Sequence, residues 1–206
     1  MPDLAHSPAA DRNKEPILAC LRNLLGERGT ALEIAAGTGQ HATWFAAALA
    51  GWTWQPTDAD PAMLPVIAER VAQSGLTNVL PPVQLDVTAP RWPSFAREFD
   101  AIFCANMLHI APWAACVGLM AGAARHLAPG GVLITYGPYI EQGVPTAPSN
   151  VAFDESLRAR DPAWGIRALE DVGAEARRNG LALAQRHALP ANNLLLVFKA
   201  GDGGPR

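Results

Sequence analysis

The stretch Leu32-Glu33-Ile34-Ala35-Ala36-Gly37-Thr38-Gly39-Gln40 constrains this chain more than any other. A short apolar run reads as a buried strand and passes into a glycine turn. A helical pattern carrying Trp44, Phe45 and Leu49 follows. Glycines at 37 and 39 permit a tight turn and let a ligand approach the backbone closely. The helix beyond offers free N–H groups and the positive end of its dipole. One acid, Glu33, lies inside the strand; Asp58 ends the next expected strand and Asp86 the one after. Acids and glycines so placed point to a ligand with an adenosine portion.

The rest of the chain repeats the alternation. Strands are expected at residues 31–35, 53–57, 82–85, 100–104 and 132–136, with helices after the first, second and fourth. The helix near Pro61 presents Met63, Leu64, Ile67 and Val71; another runs over 112–127, and Pro129-Gly130-Gly131 turns the chain into the fifth strand. A helix over 166–179 precedes two last strands at 181–188 and 193–199, close enough to form an antiparallel hairpin. This order predicts a single α/β domain over residues 1–206, a Rossmann-like, mostly parallel seven-stranded sheet with an antiparallel last strand and helices on both faces. Such sheets bind ligands at the carboxyl ends of their strands, where strand order reverses.

Two segments fall outside the pattern. Residues 1–13 read as an arm, with Asn13 capping a first helix that has Glu15 and Pro16 in its first turn. Ile17, Leu21, Leu24 and Leu25 form that helix's apolar face. Residues 137–165, rich in proline and mixing polar with aromatic side chains, read as a long loop region shaping an acceptor pocket. Tyr136, Tyr139, Asn150, Asp154 and Arg158 are its candidate contacts, although Asp154 and Arg158, spaced i, i+4, equally suit a helical ion pair. Residues 201–206 are expected to be a disordered tail.

The glycine turn alone is ambiguous. Gly37-Thr38-Gly39-Gln40-His41-Ala42 fits G-x-G-x-x-A, and Asp58 lies where a ribose-binding acid belongs, so a nicotinamide-dependent oxidoreductase is a serious rival. Three features favour a methyl donor instead. Glu33 would repel a pyrophosphate but favours a cationic sulfonium and ammonium ligand. Asp86 suits a hydrogen bond from an adenine amino group. A dehydrogenase of 206 residues would have little room for a separate substrate domain.

Glu33-x-x-x-Gly37-x-Gly39, Asp58 with Asp60-Pro61-Ala62-Met63-Leu64, Leu85-Asp86-Val87, Phe99-Asp100-Ala101-Ile102 and Leu127-Ala128-Pro129-Gly130-Gly131 resemble the successive motifs of class I S-adenosylmethionine-dependent methyltransferases. The resemblance covers roughly residues 30–136. Over nearly the whole chain, Asp11-Arg12-Asn13-Lys14, Gly37-Thr38-Gly39-Gln40-His41, Ala105-Asn106-Met107-Leu108-His109-Ile110, Pro148-Ser149-Asn150-Val151-Ala152-Phe153-Asp154 and Pro190-Ala191-Asn192-Asn193 resemble a family of small methyltransferase-like proteins of unknown function. What this implies is the class I fold and S-adenosylmethionine, with S-adenosylhomocysteine as product; no substrate follows from it.

The resemblance also implies roles. The Gly37–Gly39 backbone would approach the methionine and ribose portion, and Glu33 would orient the turn or hold the ammonium. Asp58 would accept the ribose hydroxyls and Asp86 the adenine amine, with Val87 against the ring. Asn106 would present a backbone carbonyl to the donor. Plain helix caps or turns are the alternative for Asp58 and Asp86, and a buried acid paired with the arm is the alternative for Glu33. Arg12 is expected to pair with the donor carboxylate or with Glu33; otherwise it and Lys14 form a solvated cluster. His109, with an unperturbed pKa near neutrality, is the candidate general base, and Tyr136 a second candidate catalytic residue. His41 reads as a loop or donor contact.

A formal net charge of −3 with no basic run argues against nucleic acid. Asn106-Met107-Leu108 lacks the two prolines and aromatic that resemble base-amine methylation motifs. A small-molecule acceptor is therefore expected, with a non-catalytic donor-binding or interaction module as the alternative. The cysteines at 20, 104 and 116 lie apart in apolar runs, as reduced thiols in a cytoplasmic protein do. No histidine pair has metal-ligand spacing, no run approaches a membrane span, and the N-terminus does not read as a signal peptide.

Overall fold

A computed structural model describes residues 4–201. In chain order the elements are α1 (Pro8–Leu24), β1 (Gly29–Ile34), α2 (Gln40–Ala48), β2 (Trp52–Asp58), α3 (Met63–Ser74), β3 (Val83–Gln84), β4 (Phe99–Ala105), α4 (Trp113–His126), β5 (Leu127–Gly137), β6 (Tyr139–Ile140), α5 (Pro148–Arg160), β7 (Arg167–Ala168), α6 (Leu169–Arg178), β8 (Leu181–Leu189) and β9 (Asn193–Ala200). Seven strands form one sheet in the order β3-β2-β1-β4-β5-β9-β8. β3, β2, β1, β4 and β5 run parallel, and β9 joins antiparallel to both β5 and β8. β6 and β7 make a separate parallel pair.

Strand alternation sorts the core into two layers. Leu32 and Ile34 of β1, Ile102 and Cys104 of β4, and Leu194, Leu196 and Phe198 of β9 meet Leu119 and Met120 of α4 and Val172 and Ala176 of α6. The opposite face, with Ala31, Phe103, Ile134 and Val197, packs against Ile17 and Leu21 of α1 and Phe45 of α2. Burial on both faces makes β1 apolar almost throughout, and Glu33 stands out as the acid on the α1-side face. The chain builds β1, β2 and β3 outward to one side, then places β4 on the other side of β1. The strand order therefore reverses between β1 and β4.

The first helix begins earlier than expected. Ser7 caps it by accepting from Ala10 N–H at 3.3 Å, and Pro8 opens the first turn. Asn13 is thus a buried interior residue rather than the cap, and the arm is helical from Pro8 onward. The region 137–165 is also more ordered than a loop reading implies. It contains β6 and α5, a helix whose buried side chains are Asn150 and Leu157 alone. That weak apolar face hid it. The expected tail lies outside the described residues beyond Gly201.

Candidate functional site

The turn after β1 places three residues in left-handed backbone: Ala35 (φ +54°), Gly37 (φ +56°) and Gly39 (φ +71°). For Ala35 this costs about 1 kcal/mol. Ala36 N–H donates to Thr57 O at 2.8 Å, tying the turn to β2, and Gly39 N–H donates to Ala36 O at 2.9 Å. A side chain at Gly37 would meet nothing within 4 Å, so that part of the turn faces open space. At Gly39 a Cβ would lie 3.3 Å from Ile67 Cγ2, so there the turn lies close against α3.

Asp58 ends β2 beside this turn. Its Oδ2 accepts from Gly37 N–H at 2.8 Å and its Oδ1 from Asp60 N–H at 3.0 Å. The carboxylate is nearly buried, and a carboxylate has about four acceptor positions. Two remain for a vicinal diol after the backbone bonds are made.

Glu33 projects from β1 toward β2, on the same face as Trp54. Trp54 Nε1–H donates to Glu33 Oε2 at 2.6 Å, and Thr57 Oγ1–H donates to the Glu33 carbonyl at 2.7 Å. Burial pushes the Glu33 carboxyl up to about 8; the Trp54 bond opposes this and the nearby Asp58 charge adds to it. The acid therefore rests protonated near neutral pH. Its partner is an indole, which corrects the expected pairing of Glu33 with Arg12; Arg12 lies on an exposed turn of α1 and makes no ion pair among the described residues.

Asp86 follows β3 on an exposed turn, where Oδ1 accepts from Thr88 N–H at 2.8 Å and Thr88 Oγ1–H at 2.7 Å. The turn role is therefore present. Val87 beside it is buried, with its carbonyl accepting from Trp92 Nε1–H at 3.3 Å.

Across the switch point, Asn106 follows β4 with left-handed backbone (φ +58°) and donates its N–H to Tyr136 O at 2.8 Å. His109 sits on the 3-10 turn Leu108–Ile110, buried, with its ring edge-on to Phe153 of α5 at 5.5 Å. Gly137 gives it room: a Cβ there would lie 3.3 Å from His109 Nδ1 and 3.9 Å from Asn106 Oδ1. Burial, with the Arg167 charge adding to it, pushes His109 down to about 4. It is neutral at pH 7 but a weaker base than its unperturbed pKa implies. Tyr136 is buried in the α1-side layer, where burial raises its phenol and the amides of Asn193 and Asn13 oppose the rise.

The structure thus gathers Glu33, Gly37, Gly39 and Asp58 at the carboxyl ends of β1 and β2, with Asn106 and His109 after β4. His41 is placed elsewhere. Its Nε2 meets Asn13 Oδ1 at 2.6 Å, and its ring stacks on Phe45 inside the α1–α2 layer. It fastens α1 to α2.

Two residues carry more than the sequence reading gave them. Trp54 reads as one apolar strand residue until the β1–β2 register sets it beside Glu33. Arg167 donates from Nε to Leu108 O at 2.9 Å and from Nη2 to Ala111 O, gripping both sides of the His109 turn; Gly165 N–H donates to His109 O at 3.0 Å. No spacing signals that contact in advance. Asp154 and Arg158 do form the helical ion pair, at 2.7 Å. A cavity of about 240 Å³ lies beside β9, lined by Tyr139, Glu141, Thr146, Asn150, Arg186 and Asn193 among others. Cys20, Cys104 and Cys116 are free thiols. Among the described residues, no group of three His, Cys, Asp or Glu could hold a metal, and no helix is long and apolar enough to cross a membrane.

Solved methyltransferase structures share this fold. Mitomycin 7-O-methyltransferase matches with a TM-score of 0.80 at 15% identity, over 94% of this chain and 54% of its own. An O-methyltransferase family 2 protein from Planctomyces limnophilus, in complex with apigenin, matches with 0.76 at 17% identity over 93% and 59%. Human N-acetylserotonin methyltransferase, in complex with S-adenosylmethionine, matches with 0.75 at 15% identity over 94% and 53%. The chain spans between half and three-fifths of the length of these proteins, and the likeness establishes the class I methyltransferase fold. A family model described as protein of unknown function (DUF938) matches residues 5–200, and the chain belongs to that family.

Proposed function

We propose that the protein is an S-adenosylmethionine-dependent methyltransferase acting on a small-molecule acceptor. The observation that carries this reading is the junction of the left-handed Gly37–Gly39 turn with Asp58 beside the strand-order reversal. That junction suits an adenosine-bearing ligand: open space over Gly37, and carboxylate lone pairs left on Asp58 for a ribose diol. Glu33 suits a cationic one. A positive charge beside it would lower its pKa and favour release of the proton to solvent, leaving the carboxylate as counter-ion. Human N-acetylserotonin methyltransferase, which shares the fold, binds this donor.

The residues that would hold the donor are Glu33, Gly37, Gly39 and Asp58, with Asp86 and Val87 toward the adenine and Asn106 across the switch point. The donor supplies a methyl group already activated on a positively charged sulfur. The chain's task is then to align an acceptor atom and exclude water. His109 would orient that atom. Held neutral by burial, with Arg167 gripping its turn, it offers a hydrogen bond to an acceptor hydroxyl, thiol or amine rather than strong base catalysis. Tyr136, buried in the α1-side layer against Asn193 and Asn13, would brace the β5 end. The region after β5, with Phe153 against His109, would close the acceptor side.

The test is methyl transfer from isotopically labelled S-adenosylmethionine to a panel of small oxygen, sulfur and nitrogen nucleophiles. Acceptor-dependent release of S-adenosylhomocysteine is expected, with kcat/KM for the donor falling about 100-fold in Asp58→Ala. Donor binding without transfer to any acceptor would favour a non-catalytic module of the same fold.

A further inference from the structure

The ligand-facing side of the glycine turn is open, whereas its rear is fastened to the start of the chain. Ser7 N–H donates to Gln40 Oε1 at 2.5 Å, and Gln40 Nε2–H donates back to Ser7 O at 3.4 Å. The same Gln40 Oε1 accepts from Thr38 Oγ1–H at 2.9 Å, so one amide joins the chain start to the middle of the turn. Arg70, reaching over from α3, donates from Nε to Thr38 O at 2.6 Å and from Nη2 to Ala5 O. Its stem also lies where a Cβ at Gly39 would approach within 3.5 Å. Six residues further on, Asn13 is bound to His41 in the first turn of α2.

Gln40 and Arg70 thus each bridge the same two pieces: residues 5–7 and Thr38 of the turn. That turn holds Ala35 in left-handed backbone, a conformation that a residue with a side chain keeps only where its surroundings over-determine it, between glycines at 37 and 39 that adopt it freely. The bonds from β2 secure Ala36 and Gly37; those at Thr38 come from Gln40 and Arg70.

We infer that residues 5–13 are a strap whose docking shapes the donor-binding turn, with Arg70 and Gln40 as the positioning residues that transmit it. This rests on the donor reading of the same site. The coupling is reciprocal, as linkage requires: ligand on the turn tightens the strap, and loosening the strap weakens ligand. Arg70 suits the task because its planar fork reaches two carbonyls at once, which a lysine ammonium cannot do with the same geometry.

The experiment measures S-adenosylhomocysteine binding by calorimetry for wild type, Arg70→Met, Arg70→Lys and Gln40→Ala, well below each melting temperature. Amide hydrogen exchange of residues 5–13 is followed with and without the ligand. Arg70→Met keeps the apolar stem and should bind about 10-fold more weakly, with Arg70→Lys recovering only part of the loss. In the wild type, ligand should slow exchange in the strap; in Arg70→Met that slowing should be lost. The exchange readout separates a coupled strap from simple destabilisation and needs no variant. Wild-type binding with unchanged strap exchange, or equal affinity in Arg70→Met, would overturn the inference and leave the donor site standing. Failure of the wild type to bind would overturn the donor reading and the inference with it.

Discussion

Replacing Glu33 by glutamine should flatten one limb of the protein's stability against pH. Its carboxyl has an ordinary pKa of 4.5 and is pushed up to about 8 in the folded chain by burial. Between those values the unfolded chain has lost the proton and the native chain keeps it. The native state then binds more protons, so stability falls as pH rises through this window. At about 1.4 kcal/mol per pH unit, the full span amounts to at most about 5 kcal/mol. Glutamine preserves the acceptor for Trp54 Nε1–H, whose bond measures 2.6 Å in the wild type, and cannot ionise. Denaturant midpoints of the two proteins should therefore be similar near pH 5 and diverge toward pH 8, with Glu33→Gln the more stable. Parallel curves from pH 5 to 8 would refute the argument, because Glu33 would then be ionised in the native state.

On the acid side, His41 and His109 are each pushed down to about 4, principally by burial, from an ordinary value of 6.5. Each contributes stability that is complete above pH 6.5 and lost as pH falls toward 4, at most about 3 kcal/mol apiece; His41→Gln should shift the acid unfolding midpoint downward, and an unchanged midpoint would contradict the assignment. Asp58→Ala orphans the Gly37 and Asp60 N–H groups. It should cost about 2 kcal/mol of stability and weaken S-adenosylhomocysteine by about 100-fold, as read by urea denaturation and calorimetry; unchanged affinity would remove Asp58 from the site. In Gly122→Ala a Cβ would sit 2.0 Å from Trp92 Cζ2. Overpacking of that kind costs about 1–3 kcal/mol, and an unaltered melting temperature would show that Trp92 is free to move aside.

The sheet was legible because its signals are local. Apolar runs ending in glycine or aspartate marked β1 and β2, and the close spacing of the last two strands marked the hairpin. Helices with weak or late apolar faces were not. The first turns of α1, Pro8-Ala9-Ala10-Asp11-Arg12, carry little apolar periodicity, although Ser7 followed by Pro8 was a start signal in plain view. α5 buries only Asn150 and Leu157, so no 3.6-residue pattern announced it.

The site divides along the same line. Glu33, the glycines and Asp58 could be read because each sits at a fixed offset from a strand end. Their partners could not, since Trp54 meets Glu33 across two strands, and Arg70 and Arg167 reach backbone carbonyls 32 and 59 residues away. A single arginine carries no mark of such a contact. The position of His109 after β4 could be read but not its surroundings, and burial turned a residue expected to titrate near neutrality into one held neutral.

The most direct measurement is calorimetric titration of the protein with S-adenosylhomocysteine and, separately, NADH, repeated on Asp58→Ala. S-adenosylhomocysteine should bind saturably, about 100-fold more weakly once Asp58 is replaced, and NADH should not bind. Binding of NADH alone, or unchanged S-adenosylhomocysteine affinity in Asp58→Ala, would contradict the donor site.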